Sequence, residues 1–167
     1  MSNAPRRSKT KIMVFGVFDG LHGGHINFFH QARTLDRHPY LVVSVARDRN
    51  VRRLKKKTPL YSEKKRLSDL KKSNLANKVV LGGMKDHLPH ILREKPDIIA
   101  LGYDQKFYVK NLKKDLKDKG LLVKVVRLRP YREKIYKSSL LHLYLTSRRR
   151  SVIRNPRRRI APRTKKR

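Results

Sequence analysis

Apolar residues fall into five short blocks along the chain, and in the stretches between them they recur at every third or fourth position. The blocks Lys11–Phe15 (KIMVF), Tyr40–Ala46 (YLVVSVA), Lys78–Leu81 (KVVL), Asp97–Gly102 (DIIALG) and Leu121–Leu128 (LLVKVVRL) are rich in valine, isoleucine and leucine and predict buried β-strands. The first intervening stretch, His25–Leu35, repeats Ile26, Phe29 and Ala32 beside Phe28 and Leu35, which is helical spacing. Ser62–Ser73 predicts a second helix, with Pro59 and Ser62 as start signals. His87–Glu94 predicts a shorter one with Pro89 in its first turn, and Val109–Gly120 a fourth that stops at Gly120 as its C′ residue. Arg47–Lys57, nearly devoid of apolar residues, reads as a basic loop. Strands separated by helices predict parallel βαβ units with right-handed crossovers and helices on both faces. The fold class is therefore α/β, a doubly wound five-stranded parallel sheet. Sites in such sheets lie at the carboxyl ends of the strands, near the point where strand order reverses. Gly16–His25, Arg47–Lys57 and Gly102–Gln105 are thereby predicted to share one edge, although they are far apart in sequence.

Charge changes this picture more than length does. The 167 residues carry 45 Lys and Arg against 12 Asp and Glu, a net charge of +33 that attracts any polyanion. Eleven of those cations lie in residues 147–167, which contain no acid, two prolines and too few apolar groups to pack. The chain thus divides into a basic N-terminal extension (1–10), one folded domain (11–146) and a basic tail (147–167) expected to be disordered. The centre is basic as well, so the tail does not account for all of the charge. No apolar run reaches the roughly 18 residues of a membrane span, and the N-terminus carries no segment of signal-peptide type, which points to the cytoplasm. The absence of cysteine excludes disulfides and thiolate metal sites.

The candidate chemistry sits after the first strand, in GVFDGLHGGH (Gly16–His25). A strand that turns through Gly20, Gly23 and Gly24 into a helix near His25 brings a helix N-terminus and two imidazoles to one spot, where a phosphate is favoured. The spacing of His22 and His25 lets both rings face one cavity. A glycine-rich turn carrying surface histidines would have the same composition. Asp19 reads better as a brace for the loop, or for a histidine, than as a lone metal ligand. Neither the Walker pattern nor the dinucleotide fingerprint G-x-G-x-x-G is present.

This stretch resembles the G-T-F-D-x-x-H-x-G-H element of the cytidylyltransferase-like nucleotidyltransferases, a Rossmann-like family, with Val17 in place of the threonine. Arg47, Asp48, Val51, Lys55, Pro59 and Arg66 match the element that follows the family's second strand. KPDIIALGYDQ (Lys95–Gln105) is similar to an element of the archaeal-type FAD synthases, and Ser138 and Ser139 to a serine pair that precedes a last helix. The resemblance implies transfer of AMP from ATP to FMN, giving FAD and pyrophosphate, with Mg²⁺ carried by ATP. It implies catalytic roles for His22, His25 and Lys55. It further implies nucleotide contacts from Val17, Phe18, Gly23, Gly24, Asp104, Ser138 and Ser139, where serine capping and phosphate binding are compatible uses. A cytidylyltransferase acting on glycerol 3-phosphate or a related phosphoalcohol differs only in substrates. From another class, a non-specific nucleic-acid-binding protein would use the tail, since 7% aromatic residues and no tryptophan give no stacking platform. A homodimer is the expected assembly.

Overall fold

The computed structural model describes residues 8–105, 111–132 and 135. Five strands, β1 (Thr10–Gly16), β2 (Pro39–Val45), β3 (Lys78–Leu81), β4 (Ile98–Leu101) and β5 (Lys124–Arg127), form one sheet in the order β3-β2-β1-β4-β5. Every pairing is parallel. The chain steps outward from β1 to β3 and then returns to the other side of β1, so strand order reverses between β1 and β4. The predicted strands are all present, each within a few residues of its expected bounds. β5 is the most shortened, because Leu121 and Val123 approach it as coil and pack into the core instead.

The core follows from period-two alternation along buried strands. Ile12, Val14, Leu41, Val43 and Ala100 face one side, where α1 (Gly23–Arg33) supplies Phe29 and Ala32 and α3 (Glu63–Lys72) supplies Leu70. Met13, Val42, Ile99 and Leu101 face the other, covered by Ile91 of α4 (Leu88–Glu94) and by Leu112 and Leu116 of α5 (Leu112–Asp118). α5 ends as its sequence predicts: Gly120 is left-handed at φ 76, with Gly120 N donating to Lys117 O and Leu121 N to Leu116 O.

One element departs from the expectation. The stretch read as a basic loop contains a helix, α2 (Asp48–Lys55). Its Arg, Lys and Leu residues are good helix formers, and it is fixed by tertiary bonds rather than by an apolar stripe. Asp48 accepts from Arg66, Asn50 donates to Gly83 O, and Val51 is the one apolar residue that α2 buries. Among the described residues no helix is long and apolar enough to cross a membrane. Ser138, Ser139 and the tail lie outside the described residues, as do residues 106–110, where the last predicted helix was to begin.

Candidate active site

The carboxyl edge of the sheet opens into a cavity of about 970 Å³, at the upper end of the roughly 300–1,000 Å³ usual for small-molecule sites. Its floor is the turn that leaves β1. Phe18 takes a left-handed backbone (φ 53) that folds its ring back beneath the turn, where it is buried against Phe29 and meets the His25 ring edge-on at 5.3 Å. This return requires glycine at position 16, since a Cβ there would lie 2.5 Å from Phe18 Cζ. Val17 and Phe18 therefore shape the wall with their backbone, and the Phe18 side chain supports His25 from below.

His22 is the N-cap of α1, and its Nδ1 accepts from Gly24 N at 3.1 Å. That bond places the ring proton on Nε2. The His25 ring stacks on it, with centroids 3.8 Å apart and planes 23° from parallel, and both line the cavity with Gly24. Burial lowers the pKa of His22. His25 is pushed down to about 3, chiefly by burial and then by the charges of His22 and Lys55. The Gly20 carbonyl beside the ring acts in the opposite direction, although Nδ1 makes no hydrogen bond of good geometry among the described residues. At neutral pH both rings are therefore neutral, stacked and able to donate N–H groups to an anion.

The loops around this pair are locked from behind. Asp19, nearly buried, accepts from Leu60 N at 2.6 Å and Tyr61 N at 2.9 Å, so it braces a loop as its sequence position suggested. Arg66 is wholly buried and joins three segments to α3: it donates to Val17 O, Ala46 O and Tyr61 O and pairs with Asp48 at 2.6 Å. Glu63 closes the frame by accepting from Asp48 N and Arg47 Nη1, while Asp48 accepts from Glu63 N. These segments hold together through the backbone carbonyls and N–H groups that Arg66, Asp19 and Glu63 satisfy.

Across the reversal point, Gln105 ties β4 to β1. Its Nε2 donates to Phe15 O at 2.7 Å and its Oε1 accepts from Gly102 N. Arg127 of β5 holds the same turn through Gly102 O, Tyr103 O and Gln105 O. Asp104 is consequently presented at the cavity wall, exposed, with Oδ1 only 3.4 Å from where a Gly102 Cβ would stand. Lys55, the last residue of α2, lines the opposite wall and is exposed. His22, His25, Gly24, Val17, Phe18, Lys55 and Asp104 thus converge, while Gly23 stands one residue away as the first residue of α1. Among the described residues no three His, Cys, Asp or Glu side chains gather as a metal site.

The cavity also has a wall that sequence reasoning missed: Asn27, Gln31, Arg129 and Tyr131. The Gln31 carboxamide grips both backbone groups of Arg129, accepting from its N–H at 3.0 Å and donating to its C=O at 3.1 Å. Its Nε2 also donates to Asn27 Oδ1. The only signal available was a polar pair at i, i+4 on α1, directly after the histidines.

These features agree with comparison to known proteins. The model of the family described as cytidylyltransferase-like matches residues 13–154. The FAD synthase of Methanosarcina barkeri (strain Fusaro) is 44% identical over 119 residues, 71% of this chain and 83% of that protein. The FAD synthase of Archaeoglobus profundus is 40% identical over 129 residues, or 77% and 81% of the two chains. The crystal structure of the lipopolysaccharide core biosynthesis protein from Thermoplasma volcanium superposes with a TM-score of 0.69 at 37% identity, covering 74% of this chain and 99% of that one. The chain belongs to the cytidylyltransferase-like family of nucleotidyltransferases.

Proposed function

We infer that this chain is an FAD synthase that transfers AMP from ATP to FMN. An oxygen of the FMN phosphate attacks the α-phosphorus of ATP, and a new P–O bond forms. The bond from the α-phosphorus to the oxygen bridging to the β-phosphate breaks, and pyrophosphate leaves with the electron pair. Such a transfer needs alignment and charge stabilisation rather than a protein nucleophile. The observation that carries the reading is the stacked His22–His25 pair, capping α1 and lining the cavity. The name of the relatives, FAD synthase, supports FAD as the product.

In this reading the His22 Nε2–H and the His25 ring donate to phosphate oxygens as negative charge builds on them. Their partial burial strengthens those bonds, because less water competes than at an exposed site. Lys55 adds positive charge at the mouth, and Asp104 accepts from a ribose hydroxyl or the adenine amine. Val17, Phe18 and Gly24 form the phosphate wall with Gly23 next to it, and the family resemblance adds nucleotide contacts from Ser138 and Ser139, which lie outside the described residues. Mg²⁺ enters with ATP as part of the substrate and neutralises charge on the phosphates.

The test is incubation of the purified chain and Mg²⁺ with ATP or CTP, paired with FMN or glycerol 3-phosphate, following pyrophosphate and product. FAD and pyrophosphate in equal amounts from ATP and FMN are expected. Turnover confined to CTP and glycerol 3-phosphate would replace this reading with the cytidylyltransferase one, and no turnover with any pair would favour a binding protein. The reading also includes a cytoplasmic location, a homodimer and non-specific contact between the tail and nucleic acid. Light scattering tests the dimer. Truncation at Ser147 should weaken RNA binding and leave FAD formation in place.

A further inference from the structure

The proposed reaction makes no use of the outward face of α2. Arg49, Arg52, Arg53 and Lys56 follow one another at i, i+3, i+4 and i+7 and so align in one stripe about 10 Å long. All four are exposed. The helix turns Val51 and Lys55 toward the cavity instead, so the stripe and the catalytic wall are separate faces of one element.

The acids beside this helix do not neutralise the stripe. Asp48 pairs with Arg66 and accepts from Glu63 N, and Glu63 pairs with Arg47 and accepts from Asp48 N. Among the described residues none of the four stripe cations forms an ion pair. Like charges at these spacings repel and oppose the helix that carries them. Lys56 adds to this by taking the left-handed position at the helix end (φ 50), where glycine is the usual residue. The helix is nonetheless held firmly at its base by Asp48–Arg66 and by the bond from Asn50 to Gly83 O. Arg53 donates to Lys85 O, so the stripe runs up to a further exposed lysine. A row of cations fixed on a rigid support, repelling one another and lacking acidic partners, is complementary to a chain of regularly spaced anions.

We propose that the outward face of α2 is a docking strip for the phosphodiester backbone of RNA, separate from the catalytic cavity and from the basic tail. A lipid surface fits less well, because a helix that lies on a bilayer needs an exposed apolar face. Val51 is 5% exposed, and Leu54, at 39%, stands alone among cations. Binding through phosphates alone is sequence-independent, since phosphate contacts carry no sequence information.

The experiment compares three forms of the full chain: wild type, a stripe variant (R49Q/R52Q/R53Q/K56Q) and a tail variant with the same charge removed (R148Q/R149Q/R150Q/R154Q). Affinity for a labelled mixed-sequence single-stranded RNA is measured from 50 to 300 mM KCl, with phosphatidylglycerol vesicles as the competing polyanion. Each phosphate contact contributes a slope of about −0.7 in log K against log salt on a single strand. The stripe variant should therefore lose about two to three units of slope and at least tenfold in affinity at 100 mM KCl, with a melting temperature no lower than that of wild type. The single variants R52Q and R53Q, which leave the rest of the helix intact, should each lose roughly 0.7. An unchanged slope in the stripe variant with the whole loss in the tail variant would overturn the proposal. So would a wild-type chain that binds no RNA, or one that prefers the vesicles.

Discussion

His25 stands on the ring of Phe18 and beneath the ring of His22, and this sandwich sets its protonation. With its pKa pushed down to about 3, the folded protein refuses a proton that the unfolded chain takes up near 6.5. The stability this represents is present above about pH 6.5 and is lost as pH falls toward 3, because the unfolded state then binds more protons. Thermal unfolding should accordingly show a melting temperature that drops between pH 7 and pH 4. His25→Gln, which has no titrating ring there, should drop less over the same interval; parallel profiles would mean that burial of this imidazole does not govern the acid limb. Arg66 is the second residue on which much depends, with its guanidinium shared among three carbonyls and Asp48. Arg66→Met should lower unfolding free energy by about 1–3 kcal/mol, since it takes the donor away from three carbonyls, while the Asp48 carboxylate stays partly exposed. Denaturant titration measures this, and a loss under 1 kcal/mol would show that the frame is held elsewhere.

The elements of the site differ in how plainly the sequence announces them. Parallel strands are continuous apolar runs, so all five could be found from the apolar pattern, and their alternation with helices put Gly16–His25, Arg47–Lys57 and Gly102–Gln105 at one sheet edge, while the strand order itself came from the structure. α2 could not be found that way, because its apolar content is Val51 and Leu54 and its stability comes from Arg66, Gly83 and other residues distant in sequence. The wall made by Gln31 and Arg129 was hidden for a related reason: it arises where α1 meets the chain leaving β5, a juxtaposition created by the sheet order. The histidine pair was legible because its signal is local, two rings at one turn of spacing beside glycines. Gln31 is therefore the element-scale test. Gln31→Leu removes both bonds to the Arg129 backbone, each worth about 0.5–1.5 kcal/mol, and should raise KM for ATP roughly tenfold while changing kcat less. A fall in kcat with KM unchanged would place Gln31 in the chemical step rather than in the pocket wall.

Across the whole molecule the chain carries a net charge of +33, and the proposed function puts anionic substrates in its cavity. Part of that charge is directed inward, through Lys55 and Arg129 on the cavity walls, and part lies on α2 and along the tail. Steering of ATP and FMN by this field weakens with salt, whereas hydrogen bonds made inside the cavity are screened far less. The central claim concerns those inner bonds: nucleotidyl transfer is carried out at the stacked histidines. The most direct measurement is the rate of FAD and pyrophosphate formation from ATP and FMN by His22→Ala and His25→Ala, alongside a melting curve for each. Loss of one donor to a developing phosphate charge costs about 10²–10³ in turnover. Each variant is predicted to remain folded at neutral pH and to fall by that amount. Near-normal FAD formation by both variants would contradict the account.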